Sequence, residues 1–305
     1  MPRLLPRARR LAGPAVVAVL LVALGVVVTG TREPAEASAG RASGVSTGGA
    51  AAGLGRAMWV WNQPAPKTLV SFAKSRGVSD LFVSVPPALP STSRLSWVGA
   101  VRDLAAPAGI RLQALGGDPG WVDDPAAAVA WEEAAVSTGL FSGVHVDVEP
   151  WQHPRWGSDQ AAVVRGYLDT LQRLEDATTL PVDADVSFWL WTVHDDTGRP
   201  LDAAVLDRVD AVTVMSYRTT VTGTDSITDI GSHTLDTASA AGKLAHLSVE
   251  TNDLGSDATA RKQTFYGQRE SALNAALSQV DTIASASPSY AGVAVHDYAG
   301  YDALR

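Results

Sequence analysis

The segment 143–150 reads GVHVDVEP and carries two carboxylates spaced two residues apart, Asp147 and Glu149, just before its final proline. In an extended strand, residues two apart point to the same face. The alternation therefore predicts that His145, Asp147 and Glu149 share one face while valines occupy the other. Neighbouring carboxylates resist simultaneous ionisation, which raises the pKa of one of them and suits it to acid–base chemistry.

A strand that is apolar on one face and ionisable on the other is typical of a strand in a (β/α)8 barrel. Its outer face packs on helices, and its inner face rises toward an open mouth. We predict that Glu149 lies at the top of this strand, where barrel enzymes keep their catalytic groups. A buried carboxylate without a partner is costly, so a functional role is favoured over a structural one.

Short β-rich segments alternate with amphipathic helical segments along residues 56–305. The predicted strands are Met58–Trp61, Asp80–Val85, Arg111–Gly116, Gly143–Val148, Val182–Phe188, Ala211–Met215, Ala245–Glu250 and Gly292–His296. The predicted helices are Pro66–Arg76, Trp97–Ala106, Pro125–Ser137, Asp159–Asp176, Asp202–Arg208, Thr228–Ala241 and Thr264–Ala284, and a last helix is short or missing.

This alternation predicts an α/β fold, a single-domain (β/α)8 TIM barrel over residues 56–305. A doubly wound open sheet is the alternative. No glycine-rich phosphate-binding motif follows the first strand, which counts against that alternative.

Aromatic and polar residues follow the predicted strand ends. Aromatic faces stack on the apolar faces of sugar rings, and carboxylates bind hydroxyls or act as acid and base. We therefore predict a carbohydrate partner. Beside Asp147, Glu149 and Tyr217, the candidate substrate-binding residues are Glu250, Trp61, Trp189, Trp191, Arg218, His296 and Asn252. By contrast, Trp59, Trp97 and Trp131 are predicted to pack in the core, and His145 to be a hydrogen-bonded residue of the barrel interior.

Three short motifs resemble glycoside hydrolase family 18, the chitinase-like barrels. The segment 143–149 resembles the strand-four signature of alternating acids that ends in the catalytic Glu. Met215-Ser216-Tyr217 resembles the strand-six Met-x-Tyr, and Leu115-Gly116-Gly117 resembles the strand-three Ser-x-Gly-Gly. The three motifs occur in the family's order and at the predicted strands.

The resemblance implies a role for each matching residue. Glu149 would protonate the leaving oxygen, and Asp147 would orient the substrate N-acetyl group, whose carbonyl attacks the anomeric carbon. Tyr217 would help to hold that intermediate. The sequence departs from the family at Ser142 and His145, where acids are expected, and at His296, which replaces the strand-eight Trp.

Two other functions stay open at the level of sequence. Glu149-Pro150 and Glu250 match the acid/base and nucleophile positions of clan A retaining glycosidases. Those enzymes usually carry Asn before the first Glu, whereas this chain has Val148, which cannot bind a sugar hydroxyl. A non-catalytic carbohydrate-binding barrel is the other alternative, because two acids of the family signature are missing.

Other chemistries find little support in the sequence. The histidines show no paired metal-ligand spacing, no G-x-S-x-G motif is present, and we expect neither metal nor cofactor. The net charge of −8 argues against a nucleic-acid partner. The oligomeric state is not determined by any sequence feature.

The N-terminal region predicts export. Arginines in the first ten residues precede a charge-free run over residues 11–29, and Ala37-Ser38-Ala39 fits a cleavage site. Residues 1–39 are therefore predicted to be a signal peptide, or an uncleaved membrane anchor, since the run is just long enough to span a bilayer. Residues 40–55 are predicted to form a flexible linker. The domain would be extracellular, either secreted or anchored to the outer face of the cytoplasmic membrane.

Overall fold

The structure, a computed structural model, describes residues 55–305, so the predictions for residues 1–39 and for nearly all of the linker lie outside it. Eight parallel strands close into a barrel in chain order, which confirms the (β/α)8 prediction and excludes the open sheet. The strands are β1 Arg56–Val60, β2 Val78–Ser84, β3 Arg111–Gly116, β4 Gly143–Val146, β5 Val182–Ser187, β6 Ala211–Met215, β7 Leu244–Glu250 and β8 Tyr290–His296.

Nine helices surround the barrel within the described residues. They are α1 Pro66–Ser75, α2 Arg94–Ala105, α3 Pro125–Val136, α4 Gln160–Ala177, α5 Leu201–Leu206, α6 Ile227–Ala241, α7 Ala258–Gln263, α8 Glu270–Ala284 and α9 Tyr298–Ala303. The last helix is short, as predicted. No helix between residues 55 and 305 is both long and apolar enough to cross a membrane.

The predicted helix Thr264–Ala284 is wrong at its start, because α8 begins only at Glu270. The Phe265 N–H donates to the Glu250 carbonyl at 2.9 Å, and Thr264 forms an isolated bridge with the same residue. Gly267 follows with φ +74°, a left-handed conformation that ends any helical path. The segment is thus drawn to the end of β7 instead of continuing a helix.

The two faces of β4 divide as the alternation predicted. Val144, Val146 and Val148 are buried in the main apolar core between the strands and the surrounding helices. Inside the barrel, Trp59, Phe82 and Leu115 form a second buried apolar cluster. Trp59 and Trp131 are almost wholly buried, which confirms their predicted core role.

Trp97 is half-buried and packs against the main core, and its indole N–H donates to the Pro64 carbonyl at 2.7 Å. Its predicted packing role is therefore confirmed as well.

Glu132 of α3 is a buried carboxyl group without a partner. It is 1% exposed, and neither of its oxygens makes a hydrogen bond within the described part of the chain. Burial, together with the charges of Glu175 and Glu133, raises the pKa of Glu132 to about 8. The neutral acid is therefore the form that packs between the helices.

We expect the Glu132→Gln variant to be more stable than the parent protein in alkali. The folded pKa is raised, so the contribution of Glu132 is fully favourable below its unfolded pKa of about 4.3 and is lost as the pH rises through about 8. Urea unfolding should show little difference near pH 5 and a gain of about 4 kcal/mol near pH 9. The control is Asp236→Asn, an exposed carboxylate on α6 that does not act on Glu132, and an equal gain in both variants would contradict the explanation.

Candidate active site

Asp147 and Glu149 leave the strand ladder at the mouth of the barrel, just after β4 ends at Val146. The Asp147 N–H still donates to the Gly116 carbonyl at 2.9 Å, which ties this turn to the end of β3. A Cβ on Gly117 would lie 1.9 Å from the Asp147 carbonyl oxygen, so only glycine fits there. The predicted glycine pair is therefore needed for the close approach of β3 to the acidic turn.

Burial governs the protonation of the two acids. It raises the pKa of Glu149 to about 9, with further rises from the charges of Asp147 and Asp185 and an opposing effect of His296. Burial and Asp185 likewise raise the pKa of Asp147 to about 7. Glu149 Oε2 and Asp147 Oδ1 are buried without a hydrogen-bond partner in residues 55–305. Glu149 therefore keeps its proton at neutral pH, whereas Asp147 is close to half ionised there.

Asp185 of β5 is a buried acid that the sequence analysis missed. Its Oδ2 accepts from the Trp59 indole N–H at 3.1 Å, and its Oδ1 lies 3.0 Å from His145 Nε2. The ring of His145 stacks on Phe82 with centroids 3.7 Å apart. The interior role predicted for His145 is confirmed, although its Nδ1 has no partner among the described residues. The signal was present, since segment 182–187 (VDADVS) alternates like β4.

Acids surround the imidazole of His145, which is hydrogen-bonded to Asp185. Burial lowers the pKa of the imidazole, but the carboxylates of Asp185, Asp183 and Asp147 outweigh this and raise its pKa above the ordinary value. These acids therefore favour the protonated ring, which would offset part of the negative charge beneath the mouth.

Glu250 is held by its own loop and by His296. Its Oε1 accepts from the backbone N–H groups of Thr251 and Asn252, both at 2.7 Å, and from the Asn252 side chain at 3.0 Å. Its Oε2 lies 2.8 Å from His296 Nδ1. Both oxygens of this buried carboxylate are thus occupied by protein donors.

Trp61 completes this cluster, since its indole N–H donates to His296 Nε2 at 2.9 Å. An acceptor at Nε2 requires the neutral ring with its proton on Nδ1. Burial favours that neutral form, whereas Glu250 and nearby acids raise the pKa of His296 to about 9. The short Trp61 contact identifies the neutral tautomer as the one that fits this geometry, so protonation of His296 would break the bond to Trp61.

Tyr217 and Arg218 follow β6. Burial and the charges of Glu250, Asp185, Asp147 and Glu149 raise the pKa of Tyr217 well above its ordinary value, so its hydroxyl stays a neutral donor beside the acids. Its ring centroid lies 6.1 Å from that of His296. The buried guanidinium of Arg218 binds Asp225 and the Tyr217 carbonyl.

Trp189 and Trp191, which were both predicted to bind substrate, lie in different surroundings. Trp189 packs against Trp151 and Trp156, with ring centroids 5.2 and 6.4 Å away, and its indole nitrogen is buried without a partner in the described chain. These two partners were not predicted, although both follow Glu149 closely in sequence. Trp191 instead stacks on His233 of α6 at 4.5 Å and is 40% exposed.

Acids and histidines at the mouth do not form a metal-binding group. Within residues 55–305, no cluster of three or more His, Cys, Asp or Glu side chains could hold a metal ion.

No protein-family profile matches the chain, and no curated protein sequence matches it. Many solved structures share its fold. A class V chitinase from Pseudomonas fluorescens Pf-5 has a TM-score of 0.52 at 13% identity, covering 81% of this chain and 97% of that one. A GH18 chitinase from Pseudoalteromonas aurantia has a TM-score of 0.52 at 12% identity, covering 80% and 94%. The fold is a chitinase-like TIM barrel.

Barrels with other activities are also similar to this chain. A D-psicose 3-epimerase from Clostridium cellulolyticum H10, solved with D-tagatose, has a TM-score of 0.48 at 9% identity, covering 76% of this chain and 99% of that one. At such low identities the likeness shows the fold alone, and function has to be argued from the site.

Asp147→Asn should lower the pKa of Glu149. A neutral amide removes the nearest negative charge, so ionisation of Glu149 becomes easier, while burial and Asp185 keep its pKa above the ordinary value. The measurement is a carbon-13 NMR titration of the Glu149 carboxyl, assigned with Glu149→Gln. Asp236→Asn, an exposed change on α6, is the control. An unchanged Glu149 titration in Asp147→Asn would refute the coupling.

Proposed function

We propose that this protein is a glycoside hydrolase that acts on a glycan, with Glu149 as the general acid. The observation that carries the proposal is the buried, protonated Glu149 next to Asp147 at the mouth of the barrel. Tyr217 and Trp61 lie in the same mouth through their contacts with His296. A proton donor beside aromatic rings and hydrogen-bonding groups is what cleavage of a glycosidic bond requires.

In the proposed reaction Glu149 gives its proton to the glycosidic oxygen as the bond to the anomeric carbon breaks. The resemblance to family 18 assigns the nucleophile to the substrate's N-acetyl carbonyl oxygen, which bonds to the anomeric carbon while Asp147 holds the amide N–H. The Glu149 carboxylate then takes a proton from water as that water attacks the same carbon and the bond from that carbon to the N-acetyl oxygen breaks, which restores the N-acetyl group. Two displacements at one carbon retain its configuration.

The geometry around Glu250 favours this route over the clan A alternative. A nucleophilic carboxylate needs a free oxygen that can reach the anomeric carbon, about 5 Å from the acid. Both oxygens of Glu250 are bound by Thr251, Asn252 and His296. We infer that Glu250 supports the wall of the mouth and orients His296.

A non-catalytic carbohydrate-binding barrel is the second candidate. His145 and Ser142 stand where the family has acids, and His145 is paired with Asp185 below the mouth. A barrel of this kind would bind glycans through the same aromatic residues and leave the glycosidic bond intact.

Glu149→Gln should lower turnover by at least ~10²-fold, because the amide cannot donate the proton that the leaving oxygen needs. The rate is best followed on a glycan with a poor leaving group, and affinity on the same panel of glycans. The variant should keep its affinity, and Glu133→Gln, on the exposed face of α3, should keep both. Full activity in Glu149→Gln would remove the assignment, whereas affinity without hydrolysis in the parent protein would favour the binding barrel.

Inhibitors distinguish the two hydrolytic routes in the same assay. Tight binding of a thiazoline would support attack by the substrate's N-acetyl group. Covalent trapping of Glu250 by a fluorosugar would support the clan A route instead.

We also propose that the barrel works outside the cytoplasm, on the strength of the basic and then apolar N-terminal sequence. If the segment is a signal peptide, the protein in the medium should begin at Gly40, and N-terminal mass spectrometry would show it. If the segment is retained as an anchor, the intact chain should sediment with membranes. Accumulation of the intact chain in the cytosol would exclude both.

A further inference from the structure

We propose that Arg218 is a positioning residue that fixes Tyr217 for the reaction, and that it does so from outside the mouth. The inference rests on the proposed function, because it gives Tyr217 a role at the substrate. It assigns to Arg218 a task other than the direct substrate binding predicted from the sequence.

The Arg218 side chain is bound by other residues of the protein. Its Nη1 donates to the Tyr217 carbonyl at 2.8 Å, and its Nε donates to Asp225 Oδ1 at 2.8 Å. Its Nη2 binds the same Asp225 oxygen, and the guanidinium lies over the Phe188 ring, 5.0 Å from the centroid. The side chain is 6% exposed. Its three nitrogens are therefore engaged with Tyr217 and Asp225, and little of the group is open to a ligand.

Arg218 and Asp225 together form a clamp on the Tyr217 carbonyl, and Asp225 connects this clamp to helix α7. Its Oδ2 accepts from Lys262 Nζ at 2.8 Å, and the Thr219 N–H donates to the Lys262 carbonyl at 2.9 Å. The backbone of Asp225 is held as well, since its N–H donates to Asp229 Oδ2 at 2.7 Å. The loop after β6 and helix α7 are therefore joined through the Asp225 carboxylate and through the backbone hydrogen bond from Thr219 to Lys262.

The backbone of Tyr217 is held on its other side too. Ser216 Oγ donates to the Ser248 carbonyl at 3.0 Å, which fastens the end of β6 to β7. With Ser216 anchored before it and Arg218 bound to its own carbonyl, Tyr217 has little freedom to move. Catalytic groups work only when held within about 0.5 Å of their productive position, so such a clamp bears on turnover.

The test is a double-mutant cycle of Arg218→Gln and Tyr217→Phe. If Arg218 acts through Tyr217, Arg218→Gln should lower kcat by roughly 5- to 10-fold with KM little changed, and by less than about 2-fold when Tyr217 is already Phe. Arg218→Lys should restore part of the loss. An effect of Arg218→Gln that is equal in both backgrounds would overturn the proposal, and so would a loss confined to KM.

A second variant guards against misfolding, because removing the buried guanidinium leaves Asp225 without its main partner. Asp225 has φ +61°, a conformation that Asn also tolerates, so Asp225→Asn should keep the loop while weakening the clamp. Its loss of kcat should likewise vanish in the Tyr217→Phe background. Arg165→Gln, which removes an exposed ion pair with Asp196, is the control and should change neither constant.

Glycan affinity is measured for the same set of variants, so that the double-mutant cycle tests the coupling even if the protein only binds glycans. Coupling of Arg218 to Tyr217 in affinity would keep the positioning role even where the parent protein binds glycans without hydrolysing them. Independent effects combined with an inactive Glu149→Gln would refute the positioning role and leave the proposed hydrolase intact.

Discussion

The crowding of negative charge at the mouth of the barrel is the constraint on which the site depends. Asp185 raises the pKa of both Asp147 and Glu149, Asp147 raises that of Glu149 further, and burial deprives these acids of solvent. Such a group is stable only if protons or cations reduce its charge. Here a proton remains on the upper pair, while the imidazole of His145 and the indole of Trp59 bind Asp185.

Close packing of the backbone brings those charges together. Gly117 lets the end of β3 touch the Asp147 carbonyl, and the adjacent Gly116 makes room for the Trp131 ring. A side chain at Gly117 would push the acidic turn away from β3, whereas one at Gly116 would displace the Trp131 ring. The electrostatics of Glu149 therefore depend on Gly117, a residue that carries no charge itself.

The opposite wall of the mouth follows a different principle, in which both oxygens of Glu250 and both ring nitrogens of His296 have partners. Glu250 is bound by its own loop and by His296, and His296 is bound in turn by Trp61. A carboxylate that is hydrogen-bonded at both oxygens is a rigid support. The two walls thus differ in chemistry, one with buried acid oxygens that lack a hydrogen-bond partner in residues 55–305 and one with a hydrogen-bonded network.

The sequence by itself determined the barrel, the two faces of β4 and the placement of Asp147 and Glu149 at its end, because strand alternation has a fixed period. The start of α8 was not predictable, since a long-range hydrogen bond to Glu250 overrides the local helical pattern. Asp185 lies in a segment with the same alternation as β4, but it was not predicted as a residue of the site.

Only the tertiary structure decided how the predicted site residues are used. It turned Trp191 toward α6, placed Trp151 and Trp156 beside Trp189, and engaged Arg218 with Asp225. Most of these contacts join residues that are far apart in the chain. No local sequence pattern indicates which distant polar or aromatic group a given residue will contact. Periodicity therefore fixes which face a residue occupies, whereas long-range packing fixes what that residue contacts.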